Sequence, residues 1–165
     1  MLPLHNEEFR WRCGFCNVTD GALPYPKERK KSEKEMEKHK IAVIGLGYVG
    51  LPLARLFSTK YETIGYDLNT ERVVALMKGH DATLEVSDEL LQEAISRYGF
   101  RCTAELNEIK DCNIYIVAVP TPVDCNNRPD LRPLIGASET VGKVISKGDI
   151  VIYESTVYPG VTEEE

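Results

Sequence analysis

Residues 41–50, Ile-Ala-Val-Ile-Gly-Leu-Gly-Tyr-Val-Gly, run four apolar residues straight into a Gly-x-Gly-x-x-Gly turn. A buried strand that delivers the chain to Gly45 needs a tight turn there, and glycine takes backbone angles that other residues avoid. Gly47 presents no side chain to an approaching pyrophosphate, and Gly50 lets the next helix pack close to the strand. A helix opening near Tyr48 aims unpaired N–H groups and the positive end of its dipole at the same place.

Glycine spacing of this kind recurs in loops, so its surroundings have to carry the inference. Leu51, Leu53, Ala54, Leu56 and Phe57 continue an apolar helical face, and Tyr61 to Tyr66 reads as a second strand ending at Asp67. An acid about twenty residues beyond the glycines accepts hydrogen bonds from the adenosine ribose hydroxyls and repels the extra phosphate of NADP. The order strand, glycines, helix, strand, acid therefore points to NAD. The plainer alternative is an ordinary strand-turn-helix with a solvated Asp67.

At 165 residues, with 42% apolar and 28% charged side chains, the chain has room for one globular domain and no second large one. A formal charge of -6 argues against a nucleic-acid or anionic-membrane surface. The sign is uneven: residues 1–40 hold nine Lys or Arg against seven acids, which leaves the net negative charge to residues 41–165. No apolar run approaches the roughly eighteen residues of a membrane span, and no signal-peptide core opens the chain, so a cytoplasmic location is expected. Five cysteines fit a reducing compartment, with Cys102, Cys112 and Cys125 as plain thiols.

Residues 1–39 read as an irregular extension, disordered or partly a charged helix, outside the core of a domain spanning 40–165. Cys13-Gly14-Phe15-Cys16 is half of a zinc site, and no second Cys-x-x-Cys follows. His5 and His39 substitute poorly, so no metal site is expected. A redox dithiol would want a preceding strand, which Glu7 to Arg12 does not offer.

After Asp67, Asn69 or Thr70 caps a helix to about Lys78 with Val73, Val74, Leu76 and Met77 inward, and Gly79 stops it. Arg72, one turn into that helix, can reach back toward an adenosine, although a surface arginine is the simpler role. His80 to Thr83 reads as a loop. Ser87 starts a helix with Leu90, Leu91, Ala94 and Ile95 inward, ending near Gly99. Phe100 to Thr103 is a short strand, followed by a helical turn at Glu105 to Ile109.

Asn113 to Val119 is β-branched and apolar on both faces, as a central parallel strand should be. Pro120-Thr121-Pro122 ends it where such sheets bind ligands, which places Thr121 near a cofactor. Val123 to Pro133 reads as a loop at the same edge and Leu134 to Ser146 as a helix. Ile150 to Tyr153 reads as another buried strand, with one more helix beginning beyond Gly160. The alternation implies an α/β fold, a Rossmann-like doubly wound parallel sheet. A chain stopping at Glu165, before the sheet's second half, predicts an exposed strand edge.

Three segments occur together and in order: Gly45-Leu46-Gly47-Tyr48-Val49-Gly50-Leu51-Pro52, Val119-Pro120-Thr121-Pro122 and Glu154-Ser155-Thr156-Val157-Tyr158-Pro159-Gly160. In these the chain resembles the amino-terminal NAD domain of the UDP-glucose/GDP-mannose dehydrogenase family, over Lys40 to Glu165. The wording from Tyr153 to Glu164 is most similar to bacterial UDP-N-acetylglucosamine or UDP-N-acetylgalactosamine 6-dehydrogenases of surface-polysaccharide synthesis. The resemblance implies oxidation of a sugar C6 alcohol to a carboxylate with two NAD, through a thiohemiacetal on a cysteine.

It implies phosphate contacts at Gly45, Gly47, Tyr48, Val49 and Gly50, ribose contacts at Asp67 with Arg72 alongside, and cofactor contacts at Val119, Pro120 and Thr121. Thr156 is implied at the reacting centre, holding a catalytic water. None of the five cysteines falls at the nucleophile's place, so this chain alone is expected to lack full activity, and the UDP-sugar site and a homodimer interface are expected in a longer parent. The alternative from another class is a non-catalytic dinucleotide-sensing module. A zinc-dependent interaction module built on Cys13 and Cys16 is a third.

Overall fold

The apolar run after Lys40 forms the middle of the sheet. The computed structural model describes residues 39–123, 128–157, 159 and 161. Expectations for Cys13, Cys16 and the first 38 residues, for Cys125, and for Tyr158 and Gly160 lie outside the described residues. So does the further helix expected beyond Gly160, apart from Val161.

Strand β1 (Lys40–Ile44) pairs in parallel with β2 (Glu62–Tyr66) on one side and with β4 (Ile114–Val117) on the other. Strand β3 (Arg101–Thr103) joins β2, and β5 (Ile150–Tyr153) joins β4, also in parallel. The order is β3-β2-β1-β4-β5. This is the doubly wound sheet that the sequence implied, and the winding reverses between β1 and β4, where a crevice opens beyond the strand ends.

Successive side chains of β1 enter opposite faces and both faces are covered, which explains why it is apolar after Lys40. Ile41 and Val43 enter a core closed by α1 (Gly50–Ser58), α2 (Thr70–Met77) and α3 (Asp88–Tyr98), through Leu51, Leu76 and Leu91. Ala42 and Ile44 enter the opposite core with Tyr115 and with Leu134 and Ala137 of α4 (Arg132–Gly142). The Tyr115 hydroxyl, buried there, donates to the carbonyls of Cys112 at 2.9 Å and Ile109 at 3.2 Å.

Local signals set the helix ends. Asn69 Oδ1 accepts from the Arg72 N–H at 3.1 Å and Ser87 Oγ from the Leu90 N–H at 3.4 Å, satisfying donors of the first turns of α2 and α3. Gly99 ends α3 at φ +70°, a left-handed angle that suits glycine. The helical turn expected after β3 is a 3₁₀ turn, Leu106–Glu108.

Several expectations shift. Helix α1 opens at Gly50 rather than near Tyr48, and α4 spans Arg132–Gly142 rather than Leu134 to Ser146. Leu56 (58% exposed), Val74 (53%) and Leu90 (41%), expected on buried faces, point outward. Each helix buries only a narrow stripe spaced three or four residues apart, Leu51 and Ala54 in α1, Val73 and Leu76 in α2, and Leu91 and Ala94 in α3. Strand β5 is not buried: Ile150 is 54% exposed and Tyr153 41%. Among the described residues it is an edge strand with β4 as its single neighbour, so the exposed edge is present there and the burial is not.

The turn is anchored in the core by a residue that the motif leaves unspecified. Leu46 is fully buried, and a Cβ on Gly65 of β2 would stand 2.7 and 2.9 Å from its two terminal methyls. The glycine in β2 is therefore the seat of the loop's leucine. Truncating Leu46 to alanine should cost about 2–5 kcal/mol in urea unfolding, whereas Leu56→Ala on the exposed face of α1 should stay within about 0.5 kcal/mol. Equal losses would show that the loop leucine carries no more of the core than a surface one.

Candidate functional site

The three glycines are held for three different reasons. Gly45 adopts φ +91°, its N–H donates to the Tyr66 carbonyl at 2.8 Å, and a Cβ there would meet Val119 Cγ1 at 3.0 Å. At Gly50 a Cβ would fall 1.8 Å from the Gly45 carbonyl oxygen, so no larger residue fits between α1 and the end of β1. A Cβ on Gly47 would have no protein atom within 4 Å, and its backbone carries no left-handed angle. Among the described residues neither packing nor conformation requires glycine at 47, and its place in the turn leaves room for close approach of a bound group. Helix α1 starts beside it with no side-chain cap and no acid in its first turn, so the partial positive charge of its N-terminus is not quenched by the protein.

Asp67 and Arg72 clamp the peptide groups on either side of Leu46. Asp67 Oδ2 accepts from the Leu46 N–H at 2.9 Å and Oδ1 from the Asn69 N–H at 2.9 Å. Arg72 Nε donates to the Leu46 carbonyl at 2.6 Å. Each Asp67 oxygen keeps a further lone pair, so the carboxylate can orient the turn and still accept from a ligand.

Two clefts flank this turn. One, of about 390 Å³, is bordered by Gly45, Gly47, Asp67, Arg72, Val119 and Pro120. The other, of about 410 Å³, is bordered by Gly47, Tyr48, Val49, Thr121 and Thr156, and again by Val119 and Pro120. Gly47 and the Val119-Pro120 pair stand between them. The structure thus gathers every site residue expected from the sequence around one line across the strand ends, with Gly50 packed beneath rather than lining either cleft. Among the described residues the Thr121 Oγ1 is buried with no hydrogen-bond partner, an arrangement that costs free energy unless something accepts from it or donates to it. Ser155 Oγ donates to the Val119 carbonyl at 2.7 Å, tying the segment that carries Thr156 to the loop after β4.

Two parts of the site were not legible in the sequence. Arg132, Pro133 and Gly136 at the start of α4 wall the first cleft, brought there by the crossover between β4 and β5 and by no motif of their own. Asp81, which falls in a predicted loop, is fully buried. It accepts from Arg72 Nη2 at 3.1 Å, from the Thr83 hydroxyl at 2.7 Å, and from the backbone N–H groups of Thr83, Glu85 and Val86. Burial pushes its pKa up, but hydrogen bonds from Thr83, Val86 and Arg72 outweigh that and hold it below the ordinary carboxylate value. The sequence signal was present, a small polar run Asp81-Ala82-Thr83 nine residues past Arg72, yet such runs are usually solvated loops.

Comparison with known proteins bears on this geometry directly. Residues 39–165 match the description of the UDP-glucose/GDP-mannose dehydrogenase family, NAD binding domain. The chain belongs to that family. It is 55% identical over 130 residues to UDP-N-acetyl-D-glucosamine 6-dehydrogenase of Salmonella typhi, covering 79% of this chain and 30% of that protein. The match to the Pseudomonas aeruginosa protein of the same name has the same identity and coverage. Among solved structures, UDP-D-ManNAc dehydrogenase from Pyrococcus horikoshii superposes with a TM-score of 0.71 at 38% identity, over 75% of this chain and 30% of that one. The chain therefore spans about 30% of the length of these relatives and is the NAD-binding domain of the family.

In this NAD-binding domain neither described thiol, Cys102 or Cys112, lines a cleft. Burial pushes Cys102 up to about 12 and Cys112 up to about 11 from an ordinary 9.0, so neither supplies a thiolate at neutral pH. Among the described residues no group of His, Cys, Asp and Glu has the spacing of a metal site. The raised values have a consequence for stability. Above pH 9 the unfolded chain loses thiol protons that the fold retains, so the folded state binds more protons and stability falls as pH rises. Tyr115, raised by burial to about 12 from 10.0, extends the loss upward. The urea midpoint should drop between pH 9 and 11, and a Cys102→Val, Cys112→Ala variant should lose the lower part of that drop while Tyr115 keeps the part above pH 10. A midpoint independent of pH over that window would contradict these protonation states.

Proposed function

We propose that this chain is the cofactor-binding part of a UDP-N-acetylhexosamine 6-dehydrogenase that converts the sugar C6 alcohol to a uronate for polysaccharide precursor synthesis. The observation that carries the reading is Gly47, whose missing side chain neither the backbone nor the packing explains and which sits at the uncapped start of α1 between two clefts. Support for the substrate class comes from the 55% identity to proteins named UDP-N-acetyl-D-glucosamine 6-dehydrogenase.

In this reading the adenosine lies in the cleft with Asp67 and Arg72, and the pyrophosphate meets Gly45, Gly47, Tyr48, Val49 and the end of α1 above Gly50. The nicotinamide lies toward Val119, Pro120, Thr121 and Thr156. NAD, when bound, would supply the hydride acceptor, one molecule being consumed in each of the two successive oxidations of the sugar. The chain's own part is to orient and to exclude water: Asp67 selects the unphosphorylated ribose, Thr121 offers its unpartnered hydroxyl, and Thr156 holds the water that hydrolyses the acyl intermediate. The nucleophilic thiol, the substrate contacts and a homodimer interface then belong to a longer cytoplasmic protein of the relatives' length.

Calorimetric titration tests the cofactor assignment. The chain should bind NAD saturably and NADP at least about tenfold more weakly, a difference of about 1.4 kcal/mol. Gly47→Ala should leave the melting temperature unchanged and weaken NAD, whereas Gly50→Ala, with its Cβ against the Gly45 carbonyl, should destabilise the fold itself. Asp67→Ala should weaken NAD and narrow its advantage over NADP. A folded chain that binds no NAD, or a Gly47→Ala variant that binds it as well as before, would overturn the assignment.

A further inference from the structure

Among the described residues Asp81 is the one charged side chain that is fully buried, and the cation compensating it is Arg72, whose side chain is only 16% exposed. Arg72 also borders the cleft beside Asp67. In dinucleotide folds an arginine near this place accommodates the 2′-phosphate of NADP. A guanidinium is permanently charged and matches phosphate oxygens well, so its mere presence should invite NADP.

The geometry withholds it. Nε is given to the Leu46 carbonyl at 2.6 Å, and Nη2 to Asp81 Oδ1 at 3.1 Å. Asp81 in turn is fixed by the backbone N–H groups of Thr83, Glu85 and Val86 at 3.0, 3.1 and 3.2 Å, so it cannot follow Arg72 toward a ligand. Moving the guanidinium to a phosphate would strand a buried carboxylate without its counter-charge, which is strongly unfavourable.

We propose that Asp81 is a positioning residue for cofactor choice, holding the Arg72 guanidinium away from the 2′-phosphate of NADP and so adding to the repulsion exerted by Asp67. The inference rests on reading the cleft of Asp67 and Arg72 as the adenosine site. Two carboxylates then enforce the preference for NAD by different means: one faces the ribose, and the other occupies the only cation within its reach on α2.

The test is titration of the full 165-residue chain and its variants with NAD and with NADP. Asp81→Asn keeps the shape and one of the two accepting oxygens and removes the charge. It should move the NADP-to-NAD affinity ratio about tenfold toward NADP, and adding Arg72→Met should cancel the gain. Thr83→Ala, which deletes the hydroxyl bonds to Asp81 at 2.7 and 2.8 Å and the 3.5 Å contact from Arg72 Nη2 and leaves both charges, should move the ratio a few-fold in the same direction. A merely structural role weakens both nucleotides alike and leaves the ratio fixed. An unchanged ratio in folded Asp81→Asn overturns the proposal, and if that variant does not fold, an unchanged ratio in Thr83→Ala does so. The unaltered chain separates the two readings: failure to bind NAD defeats the cofactor site, while intact NAD binding with an immovable ratio defeats only the role of Asp81.

Discussion

The backbone around Leu46 is the point on which the site's geometry depends. Its N–H is taken by Asp67 at the end of β2, its carbonyl by Arg72 on α2, and its side chain by the core above Gly65. A glycine-rich turn left to itself has many conformations, and fixing each residue's backbone costs about 1–2 kcal/mol. Here that cost is met by folding, before any ligand arrives. The turn is therefore preorganised, with Gly47 as the position left open. Preorganisation of this kind converts contact into affinity, because little ordering remains to oppose binding.

The same clamp joins two roles that are usually assigned to separate residues. In the proposed reading Asp67 meets the adenosine ribose with Arg72 alongside, yet in the structure both are first of all hydrogen-bond partners of the glycine turn. A substitution at either should disturb the turn and the adenosine end together, so their effects will not add as independent sites do. Asp81 extends the network by one step. Its buried carboxylate fixes the guanidinium that fixes the Leu46 carbonyl, so the loop 81–86 reaches the phosphate turn through two contacts.

What was legible in the sequence follows from the range over which each interaction acts. Gly45 is demanded by its own left-handed angle and Gly50 by the Gly45 carbonyl five residues back, and Asn69 and Ser87 cap helices three residues away, so motif and capping rules found them. The buried strands β1 and β4 announced themselves by continuous apolar character, and the parallel order followed from alternation of strands and helices. Leu46, Gly65 and Asp81 were not legible, because their reasons lie across the fold. A leucine between two glycines, a glycine in a strand and an aspartate in a loop each have a commonplace local reading. Outward-facing Leu56, Val74 and Leu90 erred in the other direction: apolar character counted along a helix overstates the width of the stripe that a sheet can cover.

The two ends of the site differ in how firmly they are built. The end with Asp67 and Arg72 rises from β1 and β2, whose central residues are buried, and is cross-tied by charged hydrogen bonds. The end with Thr121 and Thr156 rises from β4 and from β5, an edge strand with Ile150, Ile152 and Tyr153 all more than a third exposed. Among the described residues its ties include the Glu154 N–H to the Val117 carbonyl at 2.8 Å, Ser155 to Val119 at 2.7 Å and the Tyr153 hydroxyl with Ser138 Oγ at 2.9 Å. An edge strand gains its rigidity from whatever pairs with it, so the position of Thr156 depends on the covering of β5 far more than the position of Asp67 does. The end with Asp67 and Arg72 is thus held by this domain's own packing, while the end with Thr121 and Thr156 is the one most sensitive to what lies against β5.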